Sequence, residues 1–369
     1  MIAPEQLVRR TVVDLPAYKT GVSPNLLKAL AAGASVARLG SNENPYGASP
    51  SVYDAIRNVH DVNLYPDGAN TALCDALGAL LAIDPKRLLV STGSENVLCD
   101  VFQSVLSPGE RVVTLAPTFM LAEILTRAAG AIPVGVSYED DLSFSVDAVS
   151  EQVSRGARIL YLSNPNNPTG NAFTPDELGT IVRGTSSETL VVIDEAYYEY
   201  TARHEGYGCS LAVLEASQRP YVVLRTFSKA YGLAGLRVGY GIFYHPDLVP
   251  LVRRAATIFD VGSLSQAAAL AAITDQAHVD RVVSDTLSEK TRVLEALAAL
   301  EVRVFPALGN FVSLWFAERD QAWELEEALA ARNVFVKALP GKLREGIVRV
   351  TVGKPEANDR FLEALASRS

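Results

Sequence analysis

The residues most able to do chemistry stand in short segments, each placed just after an apolar run. The stretch Ser228-Lys229-Ala230-Tyr231-Gly232-Leu233-Ala234-Gly235-Leu236-Arg237 sets a lysine and an arginine within a short reach of each other, behind the β-branched and aromatic run 221–227. Such a run reads as a buried strand, and the small residues after it let backbone approach a ligand closely. A desolvated lysine at the end of a sheet strand can form a Schiff base with a carbonyl-bearing cofactor. The plain alternative is a solvated lysine in a glycine-rich loop, and this segment by itself favours it. Three further segments reverse that preference.

In the first, the run 191–194 delivers Asp194 at its end. A carboxylate at the mouth of a buried strand is costly unless a cation or a protonated ring nitrogen meets it, and a pyridinium nitrogen answers that need. A helix cap or a metal ligand are the other uses of such an aspartate. Metal is the weaker of these, because no histidine or cysteine is near and His60, His204, His245 and His278 are scattered. In the second, the strand-like run 159–163 leads into Asn164-Pro165-Asn166-Asn167-Pro168-Thr169-Gly170. Its prolines fix φ and keep their predecessors out of helix, so the loop presents amide side chains rigidly, and Asn167 could donate to a phenolate-like oxygen. Alone, the segment could be only a turn.

In the third, a strand at 88–91, a Thr92-Gly93 turn and a helix start at Ser94-Glu95 bring free N–H groups and a helix dipole together as an anion site. A simple N-cap by Ser94 explains the same residues equally well. Thr226, Ser228 and Arg237 could add hydroxyls and a guanidinium fork suited to phosphate oxygens. Phe119 follows the strand 111–115 and offers a face on which a flat ring could stack, although an aromatic there is more often core.

These residues need a scaffold that gathers strand ends. Apolar runs alternate with helical stretches from about residue 87 to 243, which argues for an α/β fold with a mostly parallel central sheet covered by helices. A small-residue helix is expected around 265–272 and a long helix over 279–300. Strands at 302–305, 311–316 and 347–351 with helices at 322–332 and 356–366 then make a small α+β module.

The chain has 369 residues, 49% hydrophobic and 20% charged, enough for two ordinary globular domains at roughly 150 residues each. A net charge of −9 without a basic stripe argues against nucleic acid as a partner, so any anionic substrate must be held by local positive charge. The three cysteines, Cys74, Cys99 and Cys209, are widely spaced and form no CxxC pair, as expected of incidental thiols in a reducing cytoplasm. No signal-like N-terminus or membrane span is read in the sequence.

Taken together, 164–170, 194–197 and 228–237 resemble the fold-type I, pyridoxal-phosphate-dependent class I/II aminotransferases. Ser41-Asn42-Glu43-Asn44-Pro45-Tyr46-Gly47, Tyr65-Pro66-Asp67 and 348–353 are similar to the histidinol-phosphate aminotransferase branch. The likeness runs over nearly the whole chain, in the family's order. It implies an N-terminal arm (1–38) packing with the small domain, a large pyridoxal-phosphate-binding domain (39–276) and a small C-terminal domain (277–369).

By the same resemblance, Lys229 carries the cofactor and shuttles the proton, Asp194 keeps the pyridine nitrogen protonated, and Tyr197 and Asn167 bond the ring oxygen. Phe119 stacks on the ring where relatives often have tyrosine. The phosphate lies among Ser94, Glu95, Thr226, Ser228 and Arg237, and Tyr65 reaches the same region from the partner subunit of a homodimer. Arg349 and Tyr18 are implied to grip the substrate's anionic end. Lys337 stands where the branch usually shows a second arginine, a point charge in place of a bidentate fork, or else an exposed residue ending an edge strand.

The leading expectation is transamination of L-histidinol phosphate with 2-oxoglutarate, a step of histidine biosynthesis, in the cytoplasm. An aromatic or broad-specificity aminotransferase of the same branch comes second, and a threonine-phosphate-type decarboxylase third. An effector-binding module would normally be fused to a DNA-binding domain, and no spare segment is large enough to be one.

Overall fold

The computed structural model describes residues 2–15 and 23–367. Their strands are β1 (Ala37–Arg38), β2 (Leu88–Ser91), β3 (Arg111–Ala116), β4 (Ile132–Ser137), β5 (Ile159–Ser163), β6 (Leu190–Asp194), β7 (Tyr221–Thr226), β8 (Gly239–Phe243), β9 (Phe311–Phe316), β10 (Val334–Phe335), β11 (Lys337–Pro340) and β12 (Gly346–Thr351). Seven of them form the central sheet in the order β2-β8-β7-β6-β5-β3-β4. Pairing is parallel from β7 through β4, and β8 alone runs against both of its neighbours.

Every residue of β5, β6 and β7 is buried, the pattern of strands covered on both faces. Alternation sorts them onto the two faces of the sheet. Leu160, Leu162, Val191, Ile193 and Val223 face one helical layer, while Ile159, Tyr161, Val192, Val222 and Leu224 face the other. Each fully buried large side chain contributes roughly 1.5–3 kcal/mol. The polar residues at the strand ends are therefore held by a stiff support.

A second core gathers β9, β11 and β12 with the helices Arg319–Ala330 and Pro355–Ala366. Those three strands form an antiparallel sheet in the order β11-β12-β9. β1 joins this region by pairing in parallel with β10. Ahead of it, the short helix Arg10–Val13 lies by Met120–Ala128, with the Thr11 hydroxyl donating to Ala128 O at 3.4 Å. The long helix Gln276–Ala299 connects the two cores, with Val279 and Val283 in the first and Val293 and Leu297 in the second. Its start is set by Asp275, whose side chain accepts from His278 N.

The strand expected at 302–305 is reduced to a single bridge between Val304 and Leu314. Pro306 has no N–H to extend a ladder, and beyond it the chain turns toward Gly170, whose carbonyl accepts from Leu308 N at 3.1 Å.

Candidate active site

The C-terminal ends of the parallel strands open on one cavity of about 210 Å³. It is lined by Ser94, Glu95, Phe119, Asn167, Asp194, Tyr197, Thr226, Ser228, Lys229 and Arg237, all expected from the sequence, and by Ser41 and Glu43. This is the edge of an open α/β sheet where ligands bind.

Asp194, the last residue of β6, lies beside Ser163 of β5 and is only 6% exposed. Its Oδ2 accepts from Tyr161 Oη at 2.9 Å and its Oδ1 from Ala196 N at 3.1 Å. Burial nevertheless raises its pKa to about 6, so the site calls for a further positive partner. Lys229 follows β7, and its Nζ donates to Ser41 O at 3.2 Å and lies 5.8 Å from the centre of the Tyr197 ring. Burial, and then the nearby Arg349 guanidinium, lower its pKa to about 8, so the neutral, nucleophilic amine is far more populated near neutrality than in an ordinary lysine.

At the other end of the cavity, Arg237 Nη2 donates to Glu95 Oε2 at 3.0 Å and Nη1 to Ser228 Oγ at 3.4 Å. Thr226 Oγ1 lies 3.0 Å from Ser228 Oγ and accepts from Ser228 N at 3.1 Å. Glu95 thus offers more than its backbone N–H, because its carboxylate holds the arginine in place. Gly93, at φ +86°, makes room for that arginine, since a Cβ there would come within 2.7 Å of Nη2. Hydroxyls, a guanidinium and the N-terminus of the helix Ser94–Val105 together form a donor set for a phosphate.

Tyr197 Oη accepts from Asn42 Nδ2 at 2.9 Å, and Asn167 Oδ1 accepts from Arg349 Nη1 at 2.6 Å. Arg349 also donates to Gly40 O at 2.7 Å, which brings β12 of the second core to the rim of the cavity. Lys337 is directly opposite Arg349 in the antiparallel register, so the two cations share one face. Tyr65 is elsewhere: it is 83% exposed, stacks on Phe259 at 4.8 Å and does not line its own chain's cavity. Tyr18 lies outside the described residues.

Sequence reasoning missed Tyr161, Asn42 and the site-lining roles of Ser41 and Glu43. A tyrosine within an otherwise aliphatic strand was the available signal for Tyr161, since a buried hydroxyl needs a partner. Among the described residues no cluster of histidine, cysteine and carboxylates could hold a metal, and no helix is long and apolar enough to cross a membrane.

The family described as aminotransferase class I and II matches residues 34–365. "Histidinol-phosphate aminotransferase 3" of Rhizobium meliloti is 38% identical over 366 residues, 99% of this chain and 98% of that protein. "Aromatic amino acid aminotransferase" of Cutibacterium acnes is 34% identical over 360 residues, 97% of each. Among solved structures, histidinol-phosphate aminotransferase from Sinorhizobium meliloti in complex with pyridoxal-5'-phosphate superposes with a TM-score of 0.86 at 26% identity, covering 98% of both chains.

Proposed function

The chain belongs to the class I and II aminotransferases, and from that premise we propose that it moves the amino group of L-histidinol phosphate to 2-oxoglutarate, giving imidazole acetol phosphate and glutamate. The observation that carries the substrate choice is the cationic face of Lys337 and Arg349, in register with each other, with Arg349 reaching Asn167 at the cavity rim. An anionic substrate end needs such a face in a chain whose net charge is −9.

The cavity fits pyridoxal phosphate. Asp194 is a buried carboxylate in want of a cation, Lys229 an amine with a lowered pKa, and a phosphate donor set lies at the far end. When bound, the cofactor supplies a protonated pyridine ring that accepts the electron pair left as the substrate's α-carbon loses its proton. Asp194 would keep that ring nitrogen protonated, and Tyr161 and the Ala196 N–H keep Asp194 oriented. Lys229 would hold the cofactor's carbonyl carbon, and its Nζ, when free, would serve as the general base that accepts and returns the proton of the substrate carbon bearing the amino group. Tyr197 and Asn167 would donate to the ring oxygen and Phe119 would cover the ring face. Ser94, Thr226, Ser228 and Arg237 hold the phosphate.

The reading extends to a homodimer in the cytoplasm. Tyr65, with Val62, Leu64 and Ile258 also exposed, supports a surface through which one chain completes its partner's site. The aromatic aminotransferase reading keeps a place because Lys337 supplies one point charge rather than a fork, and because the Cutibacterium acnes relative covers 97% of the chain.

The deciding experiment is single-turnover loss of visible absorbance when cofactor-loaded protein meets histidinol phosphate, phenylalanine or threonine phosphate. Fast conversion with histidinol phosphate and slow conversion with the others supports the proposal. Preference for phenylalanine moves the enzyme to the aromatic branch, and no conversion with any of the three leaves the substrate assignment without support.

A further inference from the structure

Lys290 is a buried lysine with no part in the mechanism above. It projects from the helix Gln276–Ala299 and is 3% exposed. Its Nζ donates to Ala307 O at 2.5 Å and Gly309 O at 3.0 Å, and lies 3.2 Å from His204 Nε2. It forms no ion pair among the described residues. An ammonium buried without a carboxylate is costly, and burial pulls its pKa down to about 7. His204, whose pKa is lowered by burial and by Lys290, is poised to accept as a neutral ring.

The carbonyls it holds belong to the loop 306–310, which has no ladder of its own to satisfy them. This loop packs against Gly170 and Tyr197, behind residues that line the cavity. Leu308 N donates to Gly170 O at 3.1 Å, and Gly170, at φ +82°, faces Pro306 O so closely that a side chain could not fit. Thr201 Oγ1 donates to Leu308 O at 3.2 Å, one turn beyond Tyr197. Gly309 lies against the Tyr197 ring, and Asn310 Nδ2 donates to the carbonyl of Asn42, the residue that bonds Tyr197 Oη. The loop therefore braces both the turn 167–170 and Tyr197.

We propose that Lys290 is a positioning residue for the two donors to the cofactor's ring oxygen: it clamps the carbonyls of Ala307 and Gly309 so that the loop 306–310 fixes Tyr197 and Asn167. The inference rests on the cofactor reading given above. Stability alone is a poor readout of it, because relieving a buried charge and orphaning two carbonyls oppose each other.

The test is a pH titration of the visible absorbance of cofactor-loaded wild type and Lys290→Met, with cofactor affinity of the cofactor-free proteins measured alongside. Donors to the ring oxygen favour the deprotonated form, so looser donors raise the absorbance midpoint by about half a pH unit and weaken cofactor binding a few-fold. Lys290→Gln keeps an amide donor without the charge. Its midpoint falls between those of wild type and Lys290→Met, and it serves alone if the methionine variant does not fold. An unmoved midpoint in a soluble variant overturns the proposal, even where the melting temperature changes. A wild-type protein with no visible transition overturns the cofactor reading itself.

Discussion

The two ends of the site are built differently. The cofactor end is continuous with the central sheet: Asp194 closes β6, and Thr226, Ser228 and Lys229 end or follow β7, behind strands buried along their whole length. The proposed substrate end comes from β11 and β12, whose Ala338, Val348 and Val350 pack in the second core. Its hairpin turn is held to the sheet domain through a few polar contacts around Tyr138. Tyr138 Oη donates to Glu345 Oε2 at 2.5 Å and accepts from Lys342 N at 3.1 Å, and Lys342 Nζ donates to Asp140 Oδ1 at 3.1 Å. The groups proposed to react follow the strands of the central sheet directly, while those proposed to choose a substrate are carried on a hairpin tied to that sheet through side-chain contacts. A family can then keep one chemistry and vary its substrates.

The sharpest way to break this contrast is at the cofactor end. Lys229→Ala should remove the visible absorbance of the loaded protein and its turnover together, since the proposal gives one atom both the anchoring of the cofactor and the movement of the proton. A yellow, active variant would refute the central assignment. Asp194→Asn keeps the fold and some cofactor but lowers turnover by a factor on the order of a hundred or more, the size expected when a fixed charge-stabilising group is lost.

The same substitution has an opposite effect in the cofactor-free protein. Asp194 has a folded pKa raised to about 6 above an unfolded value near 4. Its contribution to stability is full below the unfolded value and is lost as pH rises through the folded one, where the buried carboxylate ionises without a cation. Cofactor-free Asp194→Asn therefore melts higher than wild type at pH 8, and that advantage vanishes at pH 4. Equal differences at both pH values would show that Asp194 is not the buried, unpaired charge described here.

The cofactor end was also the more legible half in the sequence. The runs 159–162, 191–193 and 221–224 are apolar throughout, which marks buried parallel strands, and a polar residue that follows such a run stands out. Asn167, Asp194 and Lys229 were found in this way. The direction of β8 was not legible, because Gly239 and Gly241 carry little pattern and strand direction depends on pairing. Nor was the Asn42–Tyr197 bond, which joins residues 155 positions apart. Tyr161 reads as a core aromatic until its register beside β6 places its hydroxyl on Asp194. The substrate end was legible mainly through family likeness, since Arg349 and Lys337 sit in short alternating strands where an outward cation is ordinary.

The smallest expected effect lies there, at Lys337. It faces Arg349 across the β11–β12 pair and is half-buried, so its ammonium adds charge to the rim without a planar fork. In Lys337→Arg the guanidinium can bond two oxygens of a phosphate at once, an advantage that a substrate without a phosphate does not share. The ratio of kcat/KM for histidinol phosphate to that for phenylalanine should therefore rise by about three- to tenfold, the worth of one added charge-assisted hydrogen bond near the surface. The gain should come mostly in KM, because the contact forms with bound substrate and transition state alike. A ratio unchanged within error would make Lys337 an edge-strand residue outside the substrate's reach and leave Arg349 to hold the anionic end, whereas a change confined to kcat would mean that the hairpin positions the reacting carbon as well as choosing the substrate.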